Sequence, residues 1–217
     1  MLTINDLHMK YPLSLREYYF RNYSTDYVIK NFSAQINSGE QILINGKNGT
    51  GKTTFFKILA GIVKPIKGQI IIEKKNNSFT ETAYVNANER SFFWRLTVIE
   101  NLKYFSILCK TSFQDEQINK LLDEFNILHL KNKKFMSLSS GEKQKVNICR
   151  SILKDPYIYL FDEVTNGLDK KSKINFFKYM QKISELDKKI ILWVAHDCTE
   201  INSYISSEIS SANFLNN

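Results

Sequence analysis

Short, nearly continuous apolar runs alternate along this chain with stretches in which apolar residues recur every third or fourth position. The runs Leu2–Leu7, Ile29–Ile36, Gln41–Ile44, Gln69–Ile72, Thr82–Val85, Tyr157–Phe161 and Ile190–Val194 read as strands. Helical spacing follows Gly51 and Gly141 and covers Lys171–Leu186. Strands that alternate with helices predict an α/β fold with a mostly parallel sheet, whose strands are apolar throughout because both faces are covered. The N-terminal strand candidates follow one another without a long helix, so an antiparallel β part is expected there. Between Val98 and Leu130 the spacing Ile99, Leu102, Phe105, Leu108 and Ile118, Leu121, Leu122, Phe125 predicts a helical insertion. The aromatic and arginine-rich segment PLSLREYYFRNYSTDY, residues 12–27, reads as an amphipathic helical excursion or an ordered loop.

Composition narrows the class. A chain of 217 residues fits one large domain, or a core with one inserted subdomain, and its 43% hydrophobic content excludes disorder as the default. The longest apolar runs fall short of the roughly 20 residues that cross a bilayer, and no charged, apolar, small-residue leader opens the chain, so a cytosolic face is expected. Cys109, Cys149 and Cys198 have no metal-ligand spacing and form no even disulfide framework. The formal charge of +8 is spread along the chain rather than clustered. Nucleic acid is therefore not an expected partner, whereas an anionic membrane surface is compatible with that charge.

Four stretches carry candidate chemistry. Gly46-Lys47-Asn48-Gly49-Thr50-Gly51-Lys52-Thr53, followed by Thr54, is a complete G-x-x-x-x-G-K-[ST] between a strand and a helix. Its glycines let the backbone wrap a phosphate, Lys52 supplies a point charge for the β/γ oxygens, and Thr53 offers its hydroxyl to Mg²⁺. Tyr157–Phe161 ends in Asp162 and Glu163, two carboxylates at the edge of a buried strand. Asp162 suits Mg²⁺, and Glu163 is placed to polarise an attacking water. His196 follows the strand Ile190–Val194 and so reaches the same sheet edge, where it can contact a γ-phosphate. Ser139-Ser140-Gly141-Glu142 has the form of a capping box, a helix start whose exposed N–H groups and positive dipole end favour an anion. Nothing beside it in sequence supplies chemistry.

In their chain order, the phosphate loop, Leu138–Glu142, the strand ending in Asp162 and Glu163, and His196, together with Thr165-Asn166-Gly167-Leu168-Asp169, resemble the nucleotide-binding subunit of ABC transporters over nearly the whole chain. The resemblance implies a phosphate-loop NTPase (RecA-like) core. The single domain 1–217 then divides into 1–86 and 141–217 as the core with its N-terminal β part, and 87–140 as a helical subdomain carrying the signature Leu138–Glu142 at its end. It also implies ATP and Mg²⁺ as cofactors, a head-to-tail homo- or heterodimer, and separate transmembrane permease subunits, with the chain peripheral on the cytoplasmic side of the membrane. Two ATP molecules would be sandwiched in that dimer, each between the phosphate loop of one copy and Ser139 and the Gly141 N–H of the other, while Asp169 couples the two sites.

Some positions depart from the family. Val164 replaces a common proline, and Ser140 the first glycine of the usual signature. The glutamine expected after Thr82–Val85 is missing: counting back from Leu96-Thr97 gives Asn88, a candidate Mg²⁺ or water contact, whereas counting forward from Tyr84-Val85 gives Ala87. Tyr11 and Tyr27 are both candidates to stack on adenine, and the sequence does not choose between them. The stretches Ser14–Tyr18 and Glu89–Thr97 look like those of the polysaccharide-export group, and a final hairpin with a glycine turn is not expected after His196. A soluble ABC ATPase serving an assembly system, such as iron–sulfur cluster assembly, fits the same active-site residues. An unrelated phosphate-loop kinase would leave Leu138–Glu142 without a role.

Overall fold

The computed structural model describes residues 1–11, 26–73, 81–87, 91–111, 113–195 and 201–215. Most of the aromatic segment at 12–27 lies outside these, as do Asn88, Glu89, Arg90 and His196. The strands among the described residues are β1 (Leu2–Met9), β2 (Ile29–Ile36), β3 (Gln41–Asn45), β4 (Lys67–Ile72), β5 (Thr82–Asn86), β6 (Ile158–Asp162), β7 (Ile190–Val194) and β8 (Ser207–Ser210). The α-helices among the described residues are α1 (Lys52–Leu59), α2 (Val98–Leu108), α3 (Asp115–Glu124), α4 (Ser140–Leu153) and α5 (Lys170–Asp187). A five-stranded sheet runs in the order β5-β6-β7-β3-β8 with every pair parallel, and an antiparallel sheet runs in the order β2-β1-β4.

Side-chain alternation along the parallel strands divides the core in two. Ile42, Ile44, Ile158, Leu160, Ile190, Leu192 and Val194 point to one face, where they pack with Phe55 and Phe56 of α1 and with Leu2, Ile4 and Leu7 of β1. Leu43, Tyr159, Phe161, Ile191 and Trp193 point to the other, against Val146 and Ile152 of α4, Phe176 and Met180 of α5, and Leu102 and Ile118 of α2 and α3. The strands therefore read as unbroken apolar runs because each residue of a pair is buried, on opposite sides. β8 escaped the sequence reading for the same reason inverted: Ser-Glu-Ile-Ser has no apolar run, and it becomes a strand by pairing beside β3, with Ile44 against Ile209.

Helix starts follow their caps. Thr97 and Glu100 form a reciprocal box at α2, Ser139 and Glu142 form one at α4, and Asp169 caps α5 through the Ser172 N–H. One polar chain crosses the second core: Trp193 Nε1 donates to Gln41 Oε1 (3.0 Å), Gln41 Nε2 donates to Ser184 Oγ (3.3 Å), and Ser184 Oγ donates to the Gln181 carbonyl (2.9 Å). All three side chains are buried, so the bonds are made where water does not replace them. Gln41→Leu keeps the apolar volume but strands the indole N–H, and should lower unfolding stability by about 1–3 kcal/mol. Urea unfolding checks this; an unchanged midpoint would show that the indole finds another acceptor.

Candidate functional site

The phosphate-loop motif is a turn between β3 and α1 in which Gly51, in the left-handed region, directly precedes the first helical residue Lys52. The first-turn N–H groups of α1 thus face out of the loop, and no acidic side chain sits in that turn. Lys52 is buried, and its Nζ donates to the carbonyls of Gly46 (2.6 Å) and Lys47 (2.8 Å), which pins the ammonium across the loop. A cavity of about 430 Å³ lies here, lined by Asn48, Gly49, Gly51, Lys52, Thr53 and Thr54, by Tyr11 and Val28, and by Glu163 from across the sheet edge.

Asp162 ends β6 in register with Asn86 of β5 and Val194 of β7. It is almost fully buried, and Tyr84 donates a phenolic hydrogen bond to its Oδ2 (2.9 Å). Tyr84 and Asn86 were not foreseen as site residues. The strand period contained the signal, since residues two apart share a face and Tyr84 lies two before the residue paired with Asp162. Glu163 adopts a left-handed backbone conformation (φ 56°), which a β-carbon disfavours. Its N–H is held by the Val194 carbonyl (2.9 Å), and its Oε2 accepts from Asn166 Nδ2 (3.2 Å). Because β7 ends level with Asp162, the residues after it begin at this edge; His196 and Asn88 themselves lie outside the described residues. The oxygens of Thr53 and Asp162 are the hard donors Mg²⁺ uses when phosphates and water complete its shell, so these residues fit that ion.

The two aromatic candidates differ. Tyr11 lines the cavity, and its hydroxyl bonds Thr54 Oγ1 (2.9 Å). The Tyr27 ring is engaged elsewhere, with Lys10 Nζ 4.0 Å from its centre and the His8 ring against its edge at 5.8 Å.

The capping box at 139–142 forms as its sequence predicts: Ser139 Oγ accepts from the Glu142 N–H (3.3 Å), and Glu142 Oε2 accepts from the Ser139 N–H (2.8 Å). The Ser139 N–H, and after it the Ser139 side chain, hold the Glu142 carboxyl below its ordinary value. Ser139 and Ser140 are exposed, and among the described residues none of Ser139–Glu142 lines the phosphate-loop cavity. Gly141 is required by close approach, since a Cβ there would meet the Gly167 carbonyl at 2.9 Å. α4 also grips its own subunit. Gln144 Nε2 donates to the carbonyl of Val164, next to Glu163 (2.9 Å), and Asn147 Nδ2 donates to the carbonyl of Asn86 (3.0 Å). Arg150 bonds Asn147 Oδ1 (2.8 Å) and Ser91 Oγ while its guanidinium lies against both the Phe92 and Phe105 rings, 4.4 and 4.7 Å from their centres.

Asp169 accepts from the Ser172 hydroxyl (2.6 Å) and N–H (2.9 Å) and faces Lys145 at 3.6 Å. The two Ser172 bonds, then the Lys145 charge, pull its carboxyl from 3.8 down to about 2. A depressed carboxyl stabilises the fold above its unfolded value and loses that contribution as pH falls through the folded value. Wild-type stability should therefore drop relative to Asp169→Asn as pH is lowered from 3.8 to about 2. Unfolding midpoints across that window check it, and a difference that does not vary with pH would contradict it.

Comparison with known proteins gives one answer. The family described as ABC transporter matches residues 29–166. The chain is 30% identical to the zinc transport system ATP-binding protein AdcC of Streptococcus pneumoniae over 197 residues, 86% of this chain and 84% of that one. It is 31% identical to the ABC transporter ATP-binding protein NatA of Bacillus subtilis, over 83% of this chain and 76% of that one. An ABC transporter ATP-binding protein of Clostridium tetani is 32% identical, and there the match spans 83% of this chain but 42% of the relative's length. A dimeric post-hydrolysis structure of the ATP-binding cassette MJ0796 bound to ADP and Pi superposes with a TM-score of 0.78 at 22% identity, over 97% of this chain and 94% of that one. The chain belongs to the ABC transporter family, as one of its ATP-binding domains.

Proposed function

We propose that this protein binds ATP in the cavity between the phosphate loop and Glu163, closes as a dimer over it, hydrolyses it, and so drives a membrane-spanning partner. The observation that carries this reading is the division of the chemistry. Lys52, Thr53, Tyr11 and Glu163 share one cavity, while the anion-favouring start of α4 is exposed and outside it. A second copy supplies what each cavity lacks.

In that site the loop N–H groups and Lys52 hold the β- and γ-phosphates, and Tyr11, fixed through Thr54, stacks on adenine. Thr53 and Asp162 would hold Mg²⁺, which would supply positive charge against the developing phosphate charge, and Tyr84 fixes the Asp162 carboxylate by its hydrogen bond. Glu163 takes the proton of a water as its oxygen attacks the γ-phosphorus; the bond to the β–γ bridging oxygen breaks and ADP leaves. The dipole of α4 and Ser139 of the opposing copy meet the γ-phosphate from the far side. His196 contacts the same phosphate from the end of β7, and Asn88 stands in for the missing glutamine.

Among the described residues no helix is long and apolar enough to cross a membrane. Phe93, Trp94, Tyr104, Ile107, Leu108 and Met136 are exposed, with Phe93 against Tyr104 at 4.7 Å and the Met136 N–H on the Trp94 carbonyl (3.0 Å). Such an apolar patch suits a protein partner. It is tied to α4 through Phe92, Arg150 and Asn147, so movement of the dimer interface reaches it. We assign it to the membrane-spanning subunit. Relatives named for zinc transport do not fix the cargo, because an ATPase of this kind does not touch what its partner carries.

Glu163→Gln should keep ATP binding, accumulate an ATP-dependent dimer, and lower turnover by about 100-fold or more. Sedimentation with ATP and phosphate-release assays measure both, and a monomer at saturating ATP or undiminished turnover would overturn the reading. A multi-spanning membrane protein should co-purify in mild detergent; recovery with only a soluble scaffold protein would favour an assembly ATPase.

A further inference from the structure

We propose that Ser211 is a positioning residue for the phosphate loop, setting the Lys47 carbonyl, and through it Lys52, by way of the Thr50 hydroxyl. The proposal rests on the reading of Gly46–Thr53 as the ATP loop. No motif marks this serine, and it lies 161 positions from the threonine that it touches.

Three contacts define a hydroxyl relay. Thr50 Oγ1 donates to the Lys47 carbonyl at 2.8 Å, Ser211 Oγ lies 2.7 Å from Thr50 Oγ1, and Lys52 Nζ donates to the same Lys47 carbonyl at 2.8 Å. A threonine hydroxyl has a single proton, and the Lys47 carbonyl receives it. Ser211 is therefore the donor in its contact with Thr50, and the bonds run one way, from Ser211 to Thr50 to the Lys47 carbonyl, which the lysine ammonium meets from its other side. Bonds in such a chain polarise one another, most where water is excluded, and Ser211 is 2% exposed.

Packing fixes the serine in place. An ideal Cβ on Gly46 would stand 1.8 Å from Ser211 Oγ, so the hydroxyl occupies the space that the first glycine of the loop leaves open. Ser211 opens the 3-10 turn Ser211–Leu215, which follows β8, the strand paired beside β3. Three residues on, Phe214 is fully buried, with its ring 5.0 Å from those of Phe32 and Phe55, the latter in α1. The turn is thus anchored under the helix that the loop leads into, and Ser211 is presented to the loop by a rigid support.

A residue that merely fills space would act independently of Thr50, whereas a relay acts only through it. ATP affinity of the intact protein, measured by calorimetry with Mg²⁺, separates the two in a mutant cycle. Ser211→Ala should weaken ATP binding by about 2- to 10-fold, the worth of one hydrogen bond. In a Thr50→Val background the same change should have almost no effect, and in a Thr50→Ser background, which restores the hydroxyl, it should weaken binding again. An equal loss in all three backgrounds, or no loss in the wild type, would overturn the relay. A wild-type protein that does not bind ATP would instead overturn the assignment of the loop itself, and the relay with it.

Discussion

A parallel sheet buried on both faces constrains everything else in this molecule. β3, β6 and β7 offer each residue to one of two apolar layers, so their interiors hold almost no polar side chains apart from Gln41, which is bonded to Trp193 and Ser184. Each fully buried Leu, Ile or Phe contributes about 1.5–3 kcal/mol, and two layers of them hold the strands in one register. Polar chemistry is thereby displaced to the strand ends, where Gly46–Thr53, Asp162 and Glu163 meet at one edge. The same register that satisfies the core aligns Asn86, Asp162 and Val194, and so determines what can stand beside the phosphate-loop motif.

α4 couples the edge to the outside. Its first residue is exposed, but farther along it holds the Val164 and Asn86 carbonyls and sets Arg150 against two phenylalanine rings. A helix bonded to both segments cannot shift at its N-terminus without loading them. The close fit of Gly141 against the Gly167 carbonyl brings the signature turn next to the loop capped by Asp169, leaving no room for a side chain between them.

What the sequence made legible follows from this physics. β3, β6 and β7 were visible because burial on both faces leaves an apolar run, β1, β2 and β5 because one buried face leaves apolar residues at a period of two, and the start of α4 because its cap is local, Ser139 and Glu142 being three residues apart. Glu163 was visible because it directly follows a buried strand in a chain that also carries the phosphate loop, a pairing that a turn-forming carboxylate does not require. β8 was not, since its four residues become a strand only beside β3. Tyr84 and Ser211 act through contacts 78 and 161 residues away: the strand period gives the face on which Tyr84 lies but not the strand that pairs beside it, and a serine opening a 3-10 turn has no local signature. Tyr11 and Tyr27 both sit near early strands and look alike in sequence; what differs is tertiary, Tyr11 lining the cavity while the Tyr27 ring meets Lys10.

The central claim is that a complete ATP site takes its phosphate loop from one copy and its signature from another. Mixing two defective proteins tests it most directly. Both carry Glu163→Gln; one also carries Lys52→Ala, which disables its phosphate loop, and the other Ser139→Arg, which blocks its signature. Neither should form an ATP-dependent dimer alone. Mixed, they rebuild one intact site from Lys52 of the second and Ser139 of the first, so sedimentation should show a heterodimer appearing with ATP and retaining one tightly held nucleotide. If mixing restores no association, or if either protein dimerises with ATP by itself, the site is not shared between copies.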